Sequence, residues 1–282
     1  MLAGEIGRMA DTAEDAGGRV TLLGVGCGVP DADRDFTSLL WHGGGGRPLL
    51  IDAGGSPYVK LLRAGVEPTE LGGILLTHSH CDHVSGLAPL LFSTYLAGRR
   101  DPADPIPVYG LEPTLEIARR IVEAFALDDI AAPVAWTRFA AGDTLPLPGT
   151  DRYVLRTAPT LHSRPCVALR FEDGETGAAV AYSCDTAPCP PVEELARGAG
   201  VWIHEATTPG PFPSHTSPRQ AGESAARAGV GRLVLVHYSP RWTMPEADAL
   251  TEVRAGGFSG PAEIGREMAS FAVTPVRPER EA

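Results

Sequence analysis

No stretch of this chain approaches the roughly 18 consecutive apolar residues that a membrane-crossing helix requires, so a membrane span is not expected. Cysteine is scarce and poorly placed for bridging or for a zinc ribbon. The five residues Cys27, Cys81, Cys166, Cys184 and Cys189 are odd in number and scattered, which suits free thiols in a reducing compartment. Positive charge is in deficit, with 24 Lys and Arg against 35 Asp and Glu and a formal net charge of -11. That balance weighs against a strongly basic nucleic-acid surface, and no basic stripe with interleaved aromatics appears. Bound cations would still offset charge locally, which leaves a phosphate-bearing substrate open. Residues 1–18 carry Glu5, Asp11, Glu14 and Asp15 and no apolar signal core, so they read as a poorly ordered leader on a cytoplasmic protein.

What is present is ordinary globular material: 282 residues, 43% hydrophobic and 21% charged, with 33 Gly and 26 Pro implying many turns. The length can bury a substantial core. Strands are expected at Val20–Val25, Ser38–Trp41 and Pro48–Asp52, separated by turns such as Gly43-Gly44-Gly45-Gly46. Further buried strands are expected at Gly73–Thr77, near Val134, Tyr153, Cys166 and Ala178, then at Val201–Ile203, Leu233–Val236 and Ala269–Val273. Helical patterns cover Pro57–Ala64, Val84–Ala97, Glu112–Leu127, Pro191–Gly198, Pro218–Ala228 and Pro245–Ala255. Strands and helices in both halves, with no linker-like break, point to a layered α/β sandwich. The expected organisation is a single domain over 19–276 with a charged tail over 277–282.

The dominant feature is Thr-His-Ser-His-Cys-Asp-His at residues 77–83, directly after the apolar run Gly73-Ile74-Leu75-Leu76. Three of the chain's eight histidines fall in this one loop. Imidazole and carboxylate suit zinc, iron or manganese, and the spacing lets His78 and His80 face one ion while Asp82 and His83 face another. A strand ending in such a loop is a rigid mount. Cys81 inside the loop and Cys184 beside another candidate ligand read as small packing residues. Three more strand ends each present one metal-compatible residue: His162, Asp185 and His237. A lone histidine at a strand end is more often a hydrogen-bonded edge residue than a ligand; together with the loop these residues supply five imidazoles and two carboxylates.

These residues resemble the metallo-β-lactamase superfamily, in its ribonuclease Z-like and arylsulfatase-like branch. The resemblance runs through Leu23-Gly24-Val25-Gly26, Arg34-Asp35-Phe36-Thr37-Ser38, Asp52-Ala53-Gly54, the histidine loop and Ser183-Cys184-Asp185-Thr186. It continues in the more specific blocks His204-Glu205-Ala206-Thr207, His215-Thr216-Ser217 and His237-Tyr238-Ser239-Pro240-Arg241-Trp242. The implied fold is a four-layer αββα sandwich. The implied ligands are His78, His80 and His162 on one divalent ion and Asp82, His83 and His237 on the other, with Asp185 bridging. Zinc is favoured over iron or manganese. The implied reaction is attack by a hydroxide held between the metals, with Asp82 counted among the catalytic groups. Asp52 would fix a ligand histidine or cap a strand end. Glu205 and His215 would form an acid pair, the carboxylate raising the imidazole's pKa so that it can protonate a leaving oxygen; a plain hydrogen bond between loops is the alternative. His42 and His204 are expected to be structural.

Only 22 residues separate His162 from Asp185, too few for the flexible tRNA-gripping arm of typical ribonuclease Z enzymes, so tRNA is not the expected substrate. A small ester-type molecule is, phosphodiester favoured. An acyl thioesterase of CoA type, an arylsulfatase or a lactonase could use the same site, and a non-hydrolytic di-metal binding or redox protein is a remoter reading. A homodimer is compatible with all of these.

Overall fold

The strands that carry the site are buried on both faces, and their side chains alternate between two cores. In β1 (Arg19–Gly24), β2 (Ser38–His42), β3 (Leu49–Ile51) and β4 (Gly73–Leu76), the residues Leu22, Leu39, Trp41, Ile51 and Leu75 point into the interface between two sheets. Their neighbours Leu23, Leu40, Leu50, Ile74 and Leu76 point the other way, against helices. This period of two explains why the sequence shows continuous apolar runs there. Each such side chain taken fully out of water contributes about 1.5–3 kcal/mol.

The computed structural model describes residues 17–127 and 129–273. One seven-stranded sheet has the order β14-β1-β2-β3-β4-β5-β6, adding β5 (Ile106–Gly110), β6 (Val134–Arg138) and β14 (Ser270–Ala272). The other has the order β13-β12-β11-β10-β9-β8-β7. Its members are β7 (Thr144–Leu147), β8 (Thr150–Pro159), β9 (Val167–Asp173), β10 (Ala179–Tyr182), β11 (Val201–Glu205), β12 (Leu233–Val236) and β13 (Ala262–Ile264). The first sheet is covered by α1 (Pro57–Arg63), α3 (Leu87–Leu96) and α4 (Glu112–Ala124), through Leu61, Leu90, Leu91 and Leu115. The second is covered by α5 (Pro190–Ala196), α6 (Pro218–Ala228) and α7 (Glu246–Ala255), through Val192, Ala225 and Val253. The result is the expected four-layer αββα sandwich.

Two runs of parallel strands decide where chemistry can sit. Strands β3 to β6 are parallel, as are β10 to β13, so within each run the carboxyl ends lie along one sheet edge. In open parallel sheets that edge is where ligands bind. The ends of β3, β4, β10, β11 and β12 and the loops leaving them carry all the candidate site residues except His162, which follows β8.

Some expectations need correction. The helix expected over Val84–Ala97 is two pieces, α2 (Cys81–Val84) and α3. Between them the Gly86 N–H donates to the Ala53 carbonyl at 2.7 Å, and a Cβ there would sit 2.6 Å from the Gly55 carbonyl oxygen. Strands β5, β7 and β13 were not anticipated. Of the expected leader, residues 1–16 lie outside the described part, as does the 277–282 tail; Gly18 is held in place, its N–H donating to the Tyr153 hydroxyl at 2.8 Å. Among the described residues, no helix is long and apolar enough to cross a membrane.

Candidate metal centre

The loop after β4 folds back so that its side chains meet residues from the other sheet. His78 Nε2 and His80 Nδ1 lie 3.1 Å apart, and His162 Nε2, arriving from the end of β8, lies 3.0 Å from that same His80 nitrogen. His162 Nδ1–H donates to the Ser214 carbonyl at 2.9 Å, which leaves the Nε2 lone pair aimed at the other two. Asp82, His83 and His237 form a second group, with His237 Nε2 at 3.2 Å from Asp82 Oδ2. Asp185 stands between the two groups. Its Oδ2 is 3.7 Å from His78 Nε2 and 3.5 Å from His237 Nε2, while its Oδ1 is 3.6 Å from His83 Nε2.

This donor set fits a pair of divalent cations. His83 Nε2 and Asp185 Oδ1 are buried without a hydrogen-bond partner, which is costly unless something positive lies between them. Imidazole lone pairs converging at 3.0–3.1 Å repel one another unless a cation sits at their focus. Nitrogen and carboxylate oxygen in these proportions suit zinc, iron or manganese.

The supporting hydrogen bonds fix which nitrogen of each ring faces inward. Asp52 accepts from His83 Nδ1 at 2.7 Å and from the Thr77 backbone N–H at 2.8 Å, so it holds a ring and ties the strand end at once. Burial opposes the charged form of His83, but Asp52 and Asp185 outweigh it and push the imidazole up to about 10. Burial also acts against the Asp82 carboxylate; His237 and His83 outweigh it and hold Asp82 well below its ordinary range. Asp52, Cys184 and His237 all have positive φ, at 60°, 50° and 51°. Each follows the last residue of a strand by one or two positions, and the left-handed step turns the chain sharply at the edge where the site lies.

Beside this cluster, His215 Nδ1 donates to Glu205 Oε1 at 3.0 Å. The Glu205 carboxylate is fully buried and accepts also from Thr186 N at 2.7 Å, Thr207 N at 3.2 Å and Thr207 Oγ1 at 2.6 Å. Burial lowers the His215 imidazole, but the Glu205 hydrogen bond and charge more than reverse it, so its pKa is raised. The loop bearing His215 is pinned where it enters α6: Ser217 and Gln220 form a reciprocal capping box, Pro218 opens the helix and Gly229 closes it in the left-handed conformation.

The seven candidate ligands, with Asp52, Glu205 and His215 hydrogen-bonded to or beside them, therefore lie within one neighbourhood. Sequence reasoning gave no role to Thr207, whose hydroxyl accepts from His237 Nδ1 at 2.7 Å and donates to Glu205. It also missed Thr186 and Thr77. The signal was present, because Thr207 and Thr186 end two of the quoted blocks. Cys184 packs as expected, buried and 3.0 Å from Thr77 Oγ1, whereas Cys81 is exposed because it occupies the outer face of α2. His204 and His42 are structural: His204 Nδ1–H donates to the Glu205 carbonyl, and His42 Nε2 pairs with the Thr21 hydroxyl.

Comparison with known proteins agrees with this geometry. A family model described as "Beta-lactamase superfamily domain" matches residues 47–238. The ribonuclease Z of Mycolicibacterium gilvum (strain PYR-GCK) is 30% identical over 282 aligned residues, covering 91% of this chain and 96% of that protein. The metallo-beta-lactamase fold protein YhfI of Bacillus subtilis shares the fold with a TM-score of 0.75 at 23% identity, over 91% of this chain and 99% of that one. Human tRNase Z, short form, does so at 0.68 and 19% identity, over 91% and 99%. The chain belongs to the metallo-β-lactamase superfamily and is a homologue of the ribonuclease Z proteins within it. It is a metal-dependent hydrolase.

Proposed function

We propose that the protein hydrolyses a small phosphodiester. His78, His80 and His162 would hold one divalent ion and Asp82, His83 and His237 the other, with Asp185 placed to serve both. The observation that carries the reading is the His215–Glu205 pair beside the cluster, at 3.0 Å, because alcohol or phenol leaving groups need a proton. Bound there, the two ions would supply an activated water at neutral pH and a clamp for the developing charge. Asp52 and Thr207 keep His83 and His237 in the tautomers that present Nε2 inward. Glu205 keeps His215 charged and oriented, with Nε2–H free to give a proton to the departing oxygen. Asp82 and Asp185 supply the negative charge that binds and balances the ions.

A larger RNA is the second reading, favoured by the name ribonuclease Z on relatives that this chain spans almost end to end. Against it, residues 163–184 fold into the hairpin of β9 and β10 within the second sheet, with no projecting arm.

A single assay series separates these readings. Metal-analysed protein is given bis(p-nitrophenyl) phosphate, a sulfate ester, an acyl-CoA thioester and a precursor tRNA in parallel. Turnover of the diester without cleavage of the RNA is expected. Turnover of the thioester alone, or processing of the RNA at the higher efficiency, would replace the proposal. In the same assay His80→Ala should lose activity together with bound metal, and a fully active His80→Ala protein would show that the site lies elsewhere.

A further inference from the structure

The cavity over the metal centre has a rim that none of the chemistry above uses. Its volume is about 850 Å³; its floor is His80, Asp82, Asp185, His215 and His237, and its rim is Val29, the Pro209–Phe212 turn and Trp242. Phe212 is 51% exposed, Trp242 57% and Val29 50%. One large apolar side chain in water is common; three around a single mouth mark a binding surface. Among the described residues, no lysine or arginine lines the cavity.

We propose that Phe212 and Trp242 form a specificity subsite for a flat ring carried on the leaving-group side of the substrate. The preferred substrate is then a singly charged phosphodiester with an aryl or nucleobase-bearing leaving group, and not a polyanion. This rests on the phosphodiester reading above.

The placement follows from His215. Phe212 and His215 pair in a short antiparallel bridge, and their ring centroids lie 6.0 Å apart at an interplanar angle of 36°. The group that protonates the leaving oxygen thus has Phe212 at its side, so a ring attached near that oxygen meets the Phe212 face. The rim is also stiff before anything binds. Prolines 211 and 213 flank Phe212, and the Thr208 hydroxyl donates to the Gly210 carbonyl at 2.8 Å. On the Trp242 side, its backbone N–H donates to Ser239 O at 3.1 Å and Thr243 Oγ1 donates to Thr207 O at 2.7 Å. A preformed apolar slot loses little entropy on binding and gains stacking that tolerates many rings. Its charge pattern points the same way: positive charge would be confined to the floor, at the ions held there and at His215, and the cation-free walls offer additional phosphates nothing to pair with.

The test uses the metal-loaded protein with Phe212→Ala, Trp242→Ala and Trp242→Phe, and Phe125→Ala as an exposed aromatic control on α4's far end. Titration calorimetry compares two non-hydrolysable monoanions, methyl(phenyl)phosphinate and dimethylphosphinate. The phenyl compound should bind the wild type about tenfold more tightly, and that advantage should shrink to about twofold in either alanine variant. Trp242→Phe and Phe125→Ala should keep it. With bis(p-nitrophenyl) phosphate, the alanine variants should raise KM about tenfold while kcat stays within about threefold. Equal binding of the two compounds by the wild type, or an undiminished phenyl preference in both alanine variants, overturns the subsite. Absence of diester turnover by the wild type overturns the phosphodiester reading instead, and the binding comparison still decides the subsite.

Discussion

At the scale of residues, the centre depends on which atom of each side chain is left free. Asp52, Thr207 and the Ser214 carbonyl each occupy one ring nitrogen of a histidine and thereby dedicate the other. Glu205 does more, since its charge sets the protonation of His215. A general acid works while protonated, so activity should fall as pH rises through the His215 pKa, which the structure places above the ordinary 6.5. In Glu205→Gln the carboxylate is gone, and burial, which pushes the ring down, is opposed only by the Asp185 and Asp82 charges. The basic limb of kcat/KM should therefore move to lower pH. A basic limb left in place would show that some other group sets it. His215→Ala should retain metal by elemental analysis while kcat drops roughly 100-fold, and this loss should shrink for a diester whose leaving group is already acidic.

At the scale of elements, strand ends deliver the side chains and close backbone contacts hold the deliveries in register. The Asp-Ala-Gly turn after β3 is the tightest of these. The Ala53 N–H donates to the His83 carbonyl at 2.8 Å, and a Cβ added to Gly54 would stand 1.7 Å from the Asp82 carbonyl oxygen. Gly54→Ala must displace the loop that carries Asp82 and His83. A cost of about 2 kcal/mol or more is expected, read as a fall in Tm of about 5 °C or more with reduced metal content. An unchanged Tm and metal stoichiometry would mean the loop has slack the packing does not show. The same contacts mark where sequence reading works and where it fails. Residues 77–83 and the blocks at 204–207 and 237–242 were legible because chemistry-bearing residues follow apolar runs directly, whereas 215–217, after a proline-rich turn, was legible only through the family resemblance. Strand β5 was not, because Pro107 in its second position looks incompatible with an interior strand. Strand β7 carries Pro146 beside a register shift, and the three residues of β13 are too short to show a period. The break between α2 and α3 depends on Gly86 meeting the Ala53 turn, a contact between distant segments that no local pattern encodes.

At the scale of the whole molecule, the centre is shared between the two sheets. His78, His80, Asp82 and His83 come from the first, while His162, Asp185 and His237 come from the second. The apolar interface between the sheets, with Trp41 stacked on Phe171 at 5.1 Å, joins the halves deep in the sandwich. At the active edge the junction is instead a set of converging donors: carboxylates facing imidazoles, and imidazoles facing one another. Divalent ions there would act as cross-links between the sheets in addition to their chemical role, and ligands that bind only the folded state stabilise it by mass action. With free metal at about 100 times the dissociation constant, each site adds about 2.7 kcal/mol. Exhaustive chelation should then lower Tm by roughly 5 °C or more per site emptied, and re-addition of zinc should restore it. His80→Ala and His162→Ala, one on each sheet and both at the same site, should each erase that site's share of the chelator-sensitive increment, and the half-buried His80 should leave the chelated variant near the Tm of the chelated wild type. If chelation leaves Tm where it was, the ions do not bridge the sheets, and the stability of this edge rests on hydrogen bonds among the side chains alone.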